Sequence, residues 1–175
     1  MTNKIQNILH VPATGFHVLV AYDELASGIQ ARDLCDRLAQ SFKPSRPWTF
    51  SFWSLAALGF PLLAREAADE AAQAHLLIVA VNGEAILPPH LKSWISRSAR
   101  RVRAHAGALV AQFHGILPMN YELSPAYTCL KHIADDAAVE FFSEVVGPAG
   151  EVSPRFLPGS SQSGQPIINS GVFSL

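Results

Sequence analysis

Two adjacent carboxylates, Asp23 and Glu24, follow directly on a short apolar run, FHVLVAY, and precede a small-residue turn, LASG. Paired acids at such a junction can hold a divalent cation through oxygen ligands, orient a hydroxylated ligand, or share acid–base work with an imidazole. The groups that could act with them are Ser27 in the same turn, the turn Asn82-Gly83-Glu84 after the most apolar stretch of the chain (HLLIVAV), and His114 at the end of ALVAQFH. Each also has a plain structural role, as a solvated loop acid, a cap on the next helix or an idle loop histidine. The seven histidines are scattered, with no pair at the spacing of an HExxH zinc site, so no metal site is expected. No GxSxG, Walker A or GxGxxG sequence is present, which removes the common nucleophile-elbow and nucleotide-loop chemistries.

These candidates meet only if the elements before them run in parallel. The first strand, about Phe16 to Tyr22, is apolar on both faces except at His17, as suits a strand covered by helices on both sides. Ser27 and Gly28 start a helix that runs to about Phe42, with Ala31, Leu34, Leu38 and Phe42 on one face. A Pro-rich loop, residues 43–47, leads to a second strand, Trp48 to Leu55. Its alternation of Trp48, Phe50 and Phe52 against Thr49, Ser51 and Trp53 marks an edge. A second helix follows Pro61 and runs to about Ala74. A third strand spans His75 to Val81, and a third helix runs from about Pro89 to Arg103 with Leu91, Trp94, Ile95 and Val102 on its apolar side. A fourth strand covers Ala108 to His114. Ser124 as N-cap and Pro125 at the first helical position open a fourth helix, with Tyr127, Leu130, Ile133 and Ala137 as its stripe. A fifth strand runs from about Val139 to Val146. Strand–helix alternation of this kind predicts an α/β three-layer sandwich, with a five-stranded parallel sheet in the flavodoxin-like order 2-1-3-4-5. The chain then divides into a leader (1–15), the domain itself (16–146) and a Pro/Gly/Ser-rich tail (147–175) that reads as disordered. The tail ends in IINSGVFSL, apolar enough to dock.

The 175 residues are 49% hydrophobic and only 15% charged, with a formal net charge of -1, so they can bury a core and show no bias towards nucleic acid or an anionic membrane. MTNKIQNILHVPATG lacks the apolar centre of a signal peptide, and no stretch approaches the ~20 apolar residues of a membrane span; a cytoplasmic location is expected. Cys35 and Cys129 read as buried free thiols. The third helix is basic, with Lys92, Arg97, Arg100 and Arg101 and no acid between Ala85 and Tyr121. It offers an interaction surface for an acidic partner, or a solvated face. Trp48, Trp53 and Trp94 suit either a planar ligand or dimer surface, or core packing.

The first strand with Asp23-Glu24 at its end, and the alternation over residues 16 to 146, resembles the receiver domains of two-component response regulators. In that family the acidic pair holds Mg²⁺, an Asp ending strand three is phosphorylated, a Ser or Thr ends strand four and a Lys ends strand five. Here strand three ends Val79-Ala80-Val81-Asn82, strand four ends Gln112-Phe113-His114, and strand five carries no Lys. The resemblance therefore implies a non-phosphorylatable, receiver-like regulatory or protein-interaction module, without a cofactor, whose partner is another protein or a second copy of itself. WTFSFWSL, AAQAHLLIVAVNGEAILPPHLKSWI and ALVAQFHG also look like segments of bacterial proteins of this general fold. The flavodoxin likeness is by fold alone, because the phosphate loop would be DELASG, whose two carboxylates repel a phosphate. Two alternatives remain: a small-molecule or nucleotide-binding protein or enzyme using the strand-end loops, and a structural subunit pairing through the edge strand WTFSFWSL.

Overall fold

Five seven-residue strands form a parallel sheet, in a computed structural model that describes residues 15–42, 47–147 and 152–153. They are β1 (Phe16–Tyr22), β2 (Trp48–Ser54), β3 (Leu76–Asn82), β4 (Ala108–His114) and β5 (Glu140–Val146), in the order β2-β1-β3-β4-β5. The helices are α1 (Leu25–Phe42), α2 (Pro61–Ala71), α3 (Pro89–Arg103) and α4 (Pro125–Ala137). Composition explains the order. Strands β3 and β4 are buried at every position but the last, as only centrally placed, doubly covered strands can be, whereas β2 is half-exposed along its length and takes the edge.

Helices cover both faces unequally. The larger core lies under α2, α3 and α4, where Trp94, Ile95 and Leu130 meet Leu19, Leu77 and Leu109. The smaller core lies under α1, whose Ala31, Leu34 and Cys35 pack on Val18, Val20 and Ile78. Trp94 is 2% exposed and donates its Nε1–H to the Ala64 carbonyl, 3.1 Å, pinning α3 to α2. Trp53 packs against the same core, and Trp48 lies 4.5 Å from the Phe16 ring in the other, so the tryptophans serve packing. Cys35 is buried and Cys129 half-buried, both free; burial pushes the Cys35 thiol up to about 12.

Several details differ from the sequence reading. Helix α1 begins at Leu25, ahead of Ser27, because the Asp23 carboxylate takes the Glu24 N–H and the Ser27 hydroxyl and so draws Ser27 into the first turn. Helix α2 stops at Ala71 rather than Ala74, the chain passing through a turn into β3, which is shifted by one residue. Short 3₁₀ turns at Ala57–Gly59 and Tyr121–Leu123 fill stretches given no structure above. The Ser124 cap is present: its Oγ accepts the Tyr127 N–H at 3.2 Å. Beyond Gly147, where a disordered tail was expected, Val152–Ser153 forms a sixth strand, β6, antiparallel to β5. The leader to residue 14, and residues 148–151 and 154–175 of the tail, lie outside the described residues.

Candidate functional site at the strand ends

Because β1, β3 and β4 run the same way, the turns that follow them emerge on one edge of the sheet. The Asp23 N–H continues the β1–β3 ladder, donating to the Ala80 carbonyl at 3.1 Å. This places Asp23 at the switch point between β1 and β3, with its side chain in reach of the last residues of β3 and β4. Its Oδ2 accepts the Asn82 N–H at 2.6 Å. Its Oδ1 accepts the Ser27 hydroxyl at 2.5 Å, the Glu24 N–H at 2.8 Å and the His114 Nε2–H at 3.1 Å. One carboxylate thus ties together β1, α1, β3 and β4.

The surrounding turns close around it. Asn82 Oδ1 accepts the Glu84 N–H at 2.9 Å, and Gly83 N–H donates to the His114 carbonyl at 2.9 Å. The Gly83 carbonyl in turn accepts the Ala126 N–H, 3.3 Å, from the first turn of α4. Gly115 takes φ +71°, and a Cβ there would lie 2.7 Å from Asn82 Nδ2, so this position needs glycine both for its dihedral and for the approach of Asn82.

Burial pushes the Asp23 carboxyl up, but hydrogen bonds from Ser27, Asn82 and His114, with the attraction of the imidazole, outweigh it and hold the group below its usual value. Asp23 is therefore ionised at neutral pH. As an ionised carboxylate only accepts, His114 carries its proton on Nε2. The pair is partly shielded, the side chains of His114 and Asp23 being 18% and 21% exposed.

The edge gathers Asp23, Ser27, Asn82, Gly83 and His114 into one bonded cluster. Glu24 and Glu84 enter through their backbone N–H groups, and both residues are exposed. Trp53, at the end of β2, turns away, donating its Nε1–H to Glu70 Oε2 at 2.8 Å. Lys92, Arg97, Arg100 and Arg101 are exposed along α3; Arg97 bonds back to the Ser93 carbonyl and Arg101 to the Ala68 carbonyl. Among the described residues, no group of three or more His, Cys, Asp or Glu side chains is placed to hold a metal ion.

A second polar cluster was not singled out in the sequence. Glu144 of β5 is 3% exposed, and its Oε1 accepts both Arg37 Nη2–H from α1, 2.7 Å, and Gln112 Nε2–H from β4, 2.8 Å. Gln112 is 2% exposed and its Oε1 has no hydrogen-bond partner among the described residues. The available signal was a Gln set inside the otherwise apolar run of β4 and a Glu beside the two valines that end β5. At the opposite edge of the sheet, His75 is buried and its Nδ1 accepts the His17 N–H at 3.2 Å; burial, with His105 and His17 nearby, holds its imidazole below the usual 6.5.

Fold and site together define a flavodoxin-like α/β domain whose switch-point acid is bonded internally. No protein-family model matches the chain, and no curated protein matches it. Among solved structures it is similar to one titled "Crystal Structure of TesA", with 21% identity over 71% of this chain and 76% of that chain and a TM-score of 0.37, a likeness too distant to bear on activity.

Proposed function

We propose that the chain is a cytoplasmic, receiver-like module that binds or regulates another protein without accepting a phosphoryl group. The observation that supports this most is the heavily engaged carboxylate of Asp23. Ser27, Glu24 and His114 donate to its Oδ1 and Asn82 to its Oδ2, so a cation would meet only the remaining position of Oδ2 unless it displaced one of these donors. Phosphoryl transfer in a receiver needs that cation to neutralise charge on the transferring oxygens, and a carboxylate at the end of strand three to attack. Asn82 stands at that position, with a neutral carboxamide already engaged by the Glu84 N–H. His114 replaces the hydroxyl at the end of strand four and bonds to Asp23 instead of facing a phosphate.

What the same edge offers outward is largely apolar, large hydrophobic side chains standing exposed in the loops around the cluster beside Glu24, Glu84 and Glu122. That favours recognition of another polypeptide over chemistry. The test is incubation with acetyl phosphate and Mg²⁺, followed by intact-mass measurement. No phosphoryl adduct is expected; a stable adduct on any acidic residue overturns the proposal.

A further inference from the structure

Nine large hydrophobic side chains are exposed among the described residues, and all nine fall in the loops or the first two helical turns that follow β1 to β4, towards the C-terminal edge of the sheet. The five most exposed include one from every loop: Leu25 after β1 (75%), Leu62 after β2 (82%), Ile86 after β3 (80%), and Met119 (83%) and Leu123 (85%) after β4. Chance scatter would spread such residues over the surface, and single ones need no explanation; gathering on one edge does. The loops of this edge are acidic: Glu24, Glu84 and Glu122 are exposed there, and residues 23–29, 55–63, 83–88 and 115–124 contain no Lys or Arg, the cations beginning with Arg65 in α2 and Lys92 in α3.

We propose that the chain's own segment 167–175, IINSGVFSL, docks on this edge and covers it. Three observations single out this occupant. First, the last described residues lie close to the edge: β5 runs towards it, and β6 turns back beside the end of β5, Val152 opposite Val146 and Ser153 opposite Val145. Second, the segment matches in kind. It carries Ile167, Ile168, Val172, Phe173 and Leu175, and from Phe156 to Leu175 there is no charged residue for Glu24, Glu84 or Glu122 to repel. Third, the reach suffices. The thirteen residues 154–166 are rich in Pro, Gly and Ser; thirteen residues of that composition can span about 20 Å. Five strands spaced by about 4.8 Å cover nearly the same width. Tethering of this kind gives the segment an effective concentration of about a millimolar, well above that of a free competitor. The docking rests on the interaction-module reading and supplies its regulation, because a partner must displace the segment to reach the edge.

Hydrogen–deuterium exchange on the full chain tests this, comparing the wild type with the full-length double variant Ile168→Asp/Phe173→Asp. Amides of residues 117–123 and 56–64 are expected to exchange about tenfold faster in the variant. The wild-type protection is expected to persist through a roughly hundredfold dilution, as an intramolecular contact requires. A second variant, Met119→Asp/Leu123→Asp, alters only exposed side chains and is expected to speed exchange over 56–64 in the same way. Equal exchange in wild type and both variants overturns the docking and leaves the module reading standing. Protection that is lost on dilution also overturns it, assigning the cover to a second copy. Phosphoryl labelling by acetyl phosphate, in contrast, overturns the module reading and leaves the exchange comparison valid.

Discussion

Replacing Arg37 by alanine is expected to loosen α1 from the sheet, at a cost set by the charge left behind. The Glu144 side chain is 2% exposed and that of Arg37 is 40% exposed, 2.7 Å apart. Stripping the guanidinium leaves a buried carboxylate with one neutral donor, Gln112 Nε2. Removing one partner of a fully buried pair costs about 3–5 kcal/mol. Water reaches the arginine end of this pair and screens it, so about 2–3 kcal/mol is expected for Arg37→Ala. Glu144→Gln behaves differently. Arg37 can then turn to solvent, and the new amide can donate to Gln112 Oε1, which has no partner among the described residues. That change is expected to cost no more than about 1 kcal/mol. The double variant should therefore be at least about 1 kcal/mol more stable than Arg37→Ala alone. Urea unfolding of the four proteins measures the cycle. A cost below about 0.5 kcal/mol for Arg37→Ala, or strict additivity in the double variant, refutes the reasoning.

Two further outcomes concern His75 and two glycines at the ends of the central strands. His75 titrates below 6.5 in the folded chain, and its Nδ1 must stay unprotonated to accept the His17 N–H. The unfolded chain therefore takes up this proton first as pH falls; the stability is fully present above 6.5 and is lost progressively as pH drops through the lowered folded value. His75→Phe is expected to flatten the stability profile as pH falls below 6.5, and parallel profiles for the two proteins count against the assignment. Gly107 and Gly83 separate rigid from yielding neighbours: a Cβ at Gly107 would lie 2.1 Å from the His75 carbonyl oxygen, and one at Gly83 2.3 Å from the Ile116 Cδ1. Backbone cannot move aside as a side chain can, so Gly107→Ala is expected to cost about 3 kcal/mol or more and Gly83→Ala about 1–2, read from thermal or urea midpoints. Equal costs contradict that account.

The sheet order was legible because it is written locally. HLLIVAV and ALVAQFH are apolar on both faces and had to be central, while WTFSFWSL alternates and had to lie at an edge. The meeting of the turns after β1, β3 and β4 follows from parallel strands alone. Which acid would be engaged was not legible, because Asp23 and Glu24 are equivalent in sequence; the Asp23 carboxylate lies within reach of the Asn82 N–H, and that contact spans 59 residues. The Glu144 cluster was hidden for the same reason. In β5, Glu140 and Glu144 have the same parity and point to the same face, yet one is exposed and the other is covered by Arg37, 107 residues away in sequence. Strand β6 has two residues in a Pro- and Gly-rich stretch, too few for any alternation to register.

The edge inverts the arrangement that chemistry requires. A reactive site sets unsatisfied polar groups in an apolar wall, so that a substrate completes their hydrogen bonds. Here the polar groups at the switch point complete one another: Asp23 with Ser27, Asn82 and His114, and Asn82 with Glu84. The side chains that stand exposed around them are mostly apolar, Leu25, Leu62, Ile86, Met119 and Leu123, with the carboxylates of Glu24, Glu84 and Glu122 among them. A ligand gains little by competing for donors already held at 2.5 to 3.1 Å, but any polypeptide that covers those side chains removes apolar area from water. On the module reading, the Asp23 cluster serves as a clasp that holds β1, α1, β3 and β4 in register beneath a surface that another polypeptide covers.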